Sequence, residues 1–173
     1  MTELRMEKLS PGSGGTEEIG GLYMSAYGNG RAVPFADLLA VSDVFDLMGL
    51  YDGDVLAGFF FAVRHGGITV IPYLAVPEPL RRKGYGTEAV RVISAMYGGD
   101  RIVLLPDAPG VGDRLQNSRY SVMRYLSTLG FADCLSRYTF LGNDRQILCR
   151  NGTATKEEVD RVMRSLRRRL RCI

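Results

Sequence analysis

The 173-residue chain has no tryptophan and one histidine, His65, and its three cysteines (Cys134, Cys149, Cys172) are scattered with no C-x-x-C spacing. A lone histidine beside Gly66-Gly67 removes the usual Ser-His and Cys-His chemistry and leaves no His-rich metal site, so no metal is expected. An odd, dispersed set of thiols reads as reduced cysteines of a cytoplasmic protein. No apolar run approaches the roughly 20 residues that span a bilayer. The opening MTELRMEKLS also lacks the apolar region of a signal peptide. The expectation is a cytoplasmic protein with no membrane partner. A strong charge imbalance is missing too, with 22 Lys+Arg against 19 Asp+Glu. The segment from Lys156 onward holds seven of those cations and three of the anions, which leaves the preceding residues at −1. So neutral a body argues against a dedicated nucleic-acid binder, whose basic footprint belongs on the folded surface.

What is present suits one soluble domain with a proper core: 46% of residues are hydrophobic and 24% charged. Residues 2–9 read as a strand. Thr16–Tyr27 reads as a helix, with Thr16 as a cap and Ile19, Leu22, Tyr23 and Ala26 on one face. Phe35–Ala40 is a short second helix. A three-strand meander follows, Val44–Tyr51, Val55–His65 and Ile68–Val76, turned at Asp52-Gly53 and Gly66-Gly67. The second of these strands is apolar on both parities, as a central strand covered on both faces would be. Pro72 conflicts with a regular third strand because proline cannot donate to a ladder, and a bulge or splayed edge near Pro72–Leu74 resolves the conflict. Beyond it come a helix over Gly86–Tyr97, a strand at Arg101–Leu105, a helix over Ser118–Leu129 ending at Gly130, and strands at Phe131–Leu141 and Asp144–Arg150. Thr155 and Glu158 form a T-x-x-E capping box for a last helix with an apolar stripe. The order predicts an α/β architecture on a mixed sheet. Residues 1–152 are assigned to the main domain. Residues 153–173 form a basic amphipathic helix packed on it, or on a second subunit of a homodimer.

The chemistry concentrates in Tyr73–Tyr97, YLAVPEPLRRKGYGTEAVRVISAMY. Arg81, Arg82 and Lys83 precede Gly84 and Gly86, and Thr87 and Glu88 open a helix. Glycines let backbone N–H groups approach a ligand, and a helix start adds unpaired donors and a partial positive charge. The pattern is an anion cradle for a phosphate-bearing group, against the plainer reading of a solvated cationic turn. A Walker loop is excluded because Lys83 comes before the glycines. Gly84, Gly86 and Ala89 spell G-x-G-x-x-A, with Asp107 about 20 residues on. That dinucleotide pattern needs its strand to run straight into the first glycine, whereas PEPLRRK intervenes here.

Arg81-x-x-Gly84-x-Gly86, preceded by Leu74-Ala75-Val76, resembles the acyl-CoA signature of the GNAT superfamily of N-acetyltransferases. VMRYLSTLGF, residues 122–131, resembles that family's A-x-x-x-Y-x-x-x-G-F segment. The resemblance implies a GNAT-like acyl-CoA N-acyltransferase fold with splayed central strands, here carrying an extra C-terminal helix. It implies acetyl-CoA as cosubstrate and transfer of its acetyl group to a small-molecule or peptide amine by direct attack in a ternary complex. The backbone of Leu74 and Val76 would pair with the pantetheine arm. The amides from Arg82 to Thr87, across Gly84, Tyr85 and Gly86, would hold the pyrophosphate, and Arg81, Arg82 and Lys83 would screen it. The family's helix tyrosine is replaced by Leu126, with Tyr125 one residue earlier. Tyr125 is therefore the candidate proton donor, against a role as a core aromatic. Tyr73 is the only titratable side chain between Ile68 and Val76 and the second catalytic candidate, although an unperturbed pKa near 10 makes it a poor base. Asp43 and Asp46 are candidates for the acceptor side, and Asn117 lies near a family asparagine, with capping as its other role. Leu126 and the missing carboxylate also motivate an alternative, an acyl-CoA-binding sensor without turnover.

Overall fold

The computed structural model describes residues 3–28, 32–109 and 118–170. The meander expected around residues 44–76 is its centre. Strand β2 (Asp46–Asp52) pairs with β3 (Val55–His65), and β3 with β4 (Ile68–Ala75), all antiparallel. The first hairpin turns through Gly53-Asp54, one residue later than the sequence suggested. The second turns through Gly66 and Gly67 with φ of 59° and 78°, the left-handed pair that a tight hairpin requires. Strand β1 (Arg5–Lys8) adds to β2 at one edge. Strand β5 (Arg101–Leu104) runs parallel to β4, and β7 (Asn143–Arg150) separates it from the edge strand β6 (Ala132–Phe140). Among the described residues the sheet has seven strands in the order β1-β2-β3-β4-β5-β7-β6.

Both faces of this sheet are covered, which is why β3 is apolar on both parities. Leu56, Phe59, Phe61 and Val63 face helices α1 (Thr16–Tyr27), α2 (Phe35–Ala40) and α5 (Lys156–Leu170). Ala57, Phe60 and Ala62 face α3 (Tyr85–Met96) and α4 (Ser118–Thr128). Helix α1 begins after Gly15 without a side-chain cap, and the Thr16 hydroxyl donates instead to the Ser13 carbonyl at 2.6 Å. The capping box of α5 forms in both directions: the Glu158 carboxylate accepts from Thr155 N and the Thr155 hydroxyl from Glu158 N, each at 3.1 Å. The apolar stripe of α5 (Val159, Val162, Met163, Leu166) is buried in the same core as Phe59 and Tyr73.

The conflict at Pro72 is resolved by both devices that the sequence allowed. Between the pairs Phe61↔Tyr73 and Val63↔Val70, β4 has two residues, Ile71 and Pro72, opposite the single Ala62 of β3. This is a bulge. On the other side, β4 pairs with β5 only as far as Ile71↔Leu104, and beyond it the two parallel strands part.

The mouth of β5 is fixed by a polar cluster. Asp100, almost fully buried, accepts from Arg64 Nε at 2.6 Å, Arg64 Nη2 at 3.0 Å and the Thr69 hydroxyl at 2.7 Å. The Arg64 bond holds the Asp100 carboxyl below its usual range, against the opposing effect of burial. A depressed folded-state pKa stabilises the fold above the unfolded value near 4 and is lost as pH falls through the lower folded one. Asp100→Asn should therefore lower the urea midpoint at pH 7, and the difference from wild type should shrink below about pH 4. A penalty that stayed constant down to pH 2.5 would show that the charge is not what matters.

Candidate functional site

Where β4 and β5 part, a cleft of about 770 Å³ opens, walled by Ile71, Pro72, Leu74 and Val76 on one arm and Leu104, Leu105 and Pro106 on the other. Leu126 and Val122 of α4 complete its apolar lining. One end of the cleft is formed by the segment from Arg81 to Thr87, which the sequence reads as an anion cradle. After a 3-10 turn at Glu78–Leu80, Arg82 and Gly84 are left-handed, with φ of 64° and 89°. Such winding gathers successive N–H groups into an anion-binding concavity. The first intrahelical bond of α3 runs from Glu88 N to Gly84 O, so the amides of Tyr85, Gly86 and Thr87 have no partner within the helix. A Cβ on Gly86 would lie 3.1 Å from the Tyr125 hydroxyl, a tight approach to which the tyrosine would have to yield by a few tenths of an ångström.

Of the residues expected to hold the cofactor, Leu74, Val76, Arg81, Arg82, Gly84, Gly86 and Thr87 line this cleft. The other two do not. Lys83 is exposed outside it, and the Tyr85 phenol turns away to donate to Asp52 at 2.7 Å. Arg81 folds back and donates from Nε to the Val76 carbonyl at 3.2 Å.

The two tyrosine candidates separate sharply. Tyr125 is not a core aromatic. It is 43% exposed, lines the cleft, and shares a 2.7 Å hydrogen bond with the Thr87 hydroxyl at the cradle. Leu126, beside it, is buried. Tyr73 is fully buried on the opposite face of β4, where its hydroxyl accepts from Val33 N at 3.1 Å and its ring meets Tyr23 and Tyr27. The bulge at Ile71–Pro72 sets this alternation, and it turns Tyr73 away from the cleft. Asp46 is likewise committed elsewhere, to Tyr97 at 2.6 Å and Lys8 at 3.1 Å, and Asp43 is exposed and lines neither this cleft nor the smaller cavity beside it. Cys149 is buried, and burial pushes its thiol up to about 11, while Cys134 is half-buried in β6. Asn117 and Cys172 lie outside the described residues.

Three residues that sequence reasoning missed close the other end of the cleft. Tyr27, the last residue of α1, is wedged against Tyr73 and Phe59, with ring centroids at 4.9 and 6.5 Å. Its hydroxyl donates to the Leu74 carbonyl at 2.9 Å and accepts from Leu74 N at 3.0 Å. Leu74 lies beyond the last pair that β4 makes with β5. Burial raises the Tyr27 phenol above its usual range, so it stays protonated at neutral pH. Asp107 follows β5 and is held to β7 by the flanking bonds Ala108 N to Asp144 O and Gln146 N to Pro106 O, both 2.9 Å. It faces Arg145, whose Nη1 is 3.5 Å from its Oδ1. Tyr27, Asp107 and Arg145 also line a second cavity, of about 320 Å³, so the two spaces meet at these side chains. Asp107 was visible in sequence only as the acid of a dinucleotide pattern that does not form. Nothing in the one-dimensional pattern distinguishes Tyr27 from its core neighbour Tyr23.

No protein-family model matches the chain, and neither does any curated protein. Solved structures do. A protein of Bacteroides thetaiotaomicron assigned to the GNAT family of acetyltransferases superposes with a TM-score of 0.74 over 94% of this chain and 95% of its own, at 14% identity. An aminoglycoside 6'-N-acetyltransferase complexed with coenzyme A gives 0.63 over 84% and 94%, at 18% identity. A Bacillus subtilis acetyltransferase in complex with CoA gives 0.61 over 85% and 97%, at 20% identity. The fold is that of the GNAT acetyltransferases.

Tyr27→Phe removes both bonds to Leu74 and leaves its amide facing the cleft. Hydrogen exchange at Leu74 should then quicken by roughly fivefold, the equivalent of about 1 kcal/mol of hydrogen bond, while exchange at Val70 stays as in wild type. Unchanged exchange at Leu74 would mean that its amide is protected by some other group.

Proposed function

We propose that the chain is an N-acetyltransferase that moves the acetyl group of acetyl-CoA to an amine held in the same complex. The observation that carries this reading is the continuous cleft from the Arg82–Thr87 amides along Leu74–Val76 to the junction at Tyr27 and Asp107. It offers an anion cradle at one end, an apolar channel in the middle and titratable groups at the other. At Gly86 the backbone comes close to the Tyr125 hydroxyl, and a side chain there would crowd the cradle wall.

In this reading the cradle amides and the guanidinium groups of Arg81 and Arg82 take the pyrophosphate, with the Tyr125–Thr87 pair bracing α3 beside it. The apolar walls exclude water from the pantetheine arm. Leu74 supplies the backbone N–H and C=O that align the arm, so Tyr27 must release both, and its protonated hydroxyl is then free at the junction. Asp107 takes the proton of the attacking amine. The amine nitrogen forms its bond to the acetyl carbon, the carbon–sulfur bond breaks, and Tyr27 is the donor offered to the leaving thiolate. No covalent enzyme intermediate is needed, in keeping with the lack of a nucleophile at the junction among the described residues.

The burial of Leu126 where a family tyrosine is expected favours a second reading, a module that binds acyl-CoA and does not turn it over. Thiol release from acetyl-CoA in the presence of a mixed amine panel separates the two, because a binding module releases none.

Calorimetric titration with acetyl-CoA should show binding by the wild-type protein. Gly86→Glu should weaken it by roughly 100-fold or more, since it places bulk and a like charge against the phosphates. Absence of wild-type binding at millimolar ligand would sink the proposal. Asp107→Asn should bind acetyl-CoA but release thiol about 100-fold more slowly at saturation, the usual range for a lost general base being roughly 10²–10⁴. A wild-type rate in that variant would remove Asp107 from the chemistry.

A further inference from the structure

The smaller cavity at the junction has an unusual charge problem. It is bounded by the end of α1, the segment after β5 and the β6–β7 hairpin, and its charged lining among the described residues is Arg119, Arg137 and Arg145 with Asp107 and Asp144. Asp144 accepts from the Thr139 hydroxyl at 2.8 Å. Arg137 donates to the Pro109 carbonyl at 2.8 Å and Arg119 to that of Ala108 at 3.2 Å, so both are braced on backbone beside Asp107.

Arg145 is the exception. Its side chain is only 8% exposed, and its contacts are the Leu105 carbonyl at 3.2 Å and Asp107 at 3.5 Å. Its Nε is enclosed and has no hydrogen-bond partner among the described residues. A buried guanidinium normally has its donors satisfied and a close carboxylate opposite, often bidentate. Here the facing carboxylate makes a single contact, at 3.5 Å to Nη1, and is more than half exposed. The cavity floor therefore holds a guanidinium whose ion pair is neither bidentate nor buried.

The same floor holds Asp107. A carboxylate and a guanidinium fixed a few ångströms apart by β5–β7 backbone pairing match a ligand whose ammonium and carboxylate are joined through one carbon. We propose that the acceptor is a small zwitterionic amine of the α-amino acid class, with its carboxylate at Arg145 and its amino group at Asp107. This assignment rests on the acyl-transfer reading, because it uses the Asp107 that takes the amine proton. The volume of about 320 Å³ suits a small acceptor. A peptide N-terminus has no carboxylate at that distance, and a polyamine offers no carboxylate to Arg145 at all.

The test compares L-alanine, L-methionine, L-phenylalanine and L-glutamate with their α-amides and with spermidine. Free-thiol release from acetyl-CoA and calorimetric titration into the CoA-loaded protein are measured in parallel. The amino acids should exceed their amides at least tenfold in kcat/KM. Arg145→Met should bring that ratio close to one through a higher KM for the amino acids, and Arg145→Lys should restore part of it. Amides or spermidine turned over as well as the amino acids would overturn the assignment and leave acyl transfer standing. So would an unchanged ratio in Arg145→Met. If that variant does not fold, the wild-type comparison of acids with amides decides. Should acetyl-CoA not bind at all, the acyl-transfer reading fails, and titration of the apo protein decides the Arg145 site separately: heat with the amino acids and none with their amides supports it, and equal or no heat removes it.

Discussion

One missing N–H organises the cleft side of this molecule. Pro72 cannot donate to a neighbouring strand, and it comes one residue after the last pair that joins β4 to β5. A parallel pair that stops there must open, because β4 continues to Ala75 while β5 ends at Leu104. The extra residue in β4 opposite Ala62 lets the strand keep its antiparallel bonds to β3 while it leaves β5. The cleft is therefore no gap in packing. It is floored by a sheet that remains intact on one side, and it runs toward the helix start whose first amides are unpaired.

Much of this was legible in one dimension because local rules dominate it. The two-sided apolar pattern of β3, the glycine turn before β4 and the T-x-x-E box each specify their own geometry within a few residues. The cradle was legible for the same reason: its cations, glycines and helix start are contiguous. Acceptor-side chemistry was not. Tyr27, Asp107 and Arg145 come from three separate segments and meet only after the sheet has brought α1 and β7 to the two sides of the parted strands. That Tyr73 faces away from the cleft could not be read by counting along β4, because the bulge at Pro72 changes which residues face it. Tyr125 was legible only as a choice between a proton donor and a core aromatic, because its hydroxyl finds its partner, Thr87, on another helix.

The two cavities divide the labour by polarity. The larger is walled mainly by aliphatic side chains and backbone, with its charges at its ends. The smaller is lined by arginines, aspartates and polar hairpin groups. Tyr27 stands at their shared boundary, protonated and fixed by its ring against Tyr73 and Phe59. In the proposed reaction such an arrangement would give the apolar arm and a charged acceptor separate surroundings, meeting where a carboxylate, a phenol and a guanidinium converge.

The phenol on Leu74 also bears on how the protein behaves in a crowded solution. Parted strands leave an interior sheet edge, and exposed edge groups invite pairing with another chain. By taking both the N–H and the C=O of Leu74, Tyr27 acts as a one-residue substitute for the missing neighbour, sealing the edge whenever the cleft holds no extended ligand. In the proposed reaction, the group that moves aside for the ligand would be the same one that caps this edge.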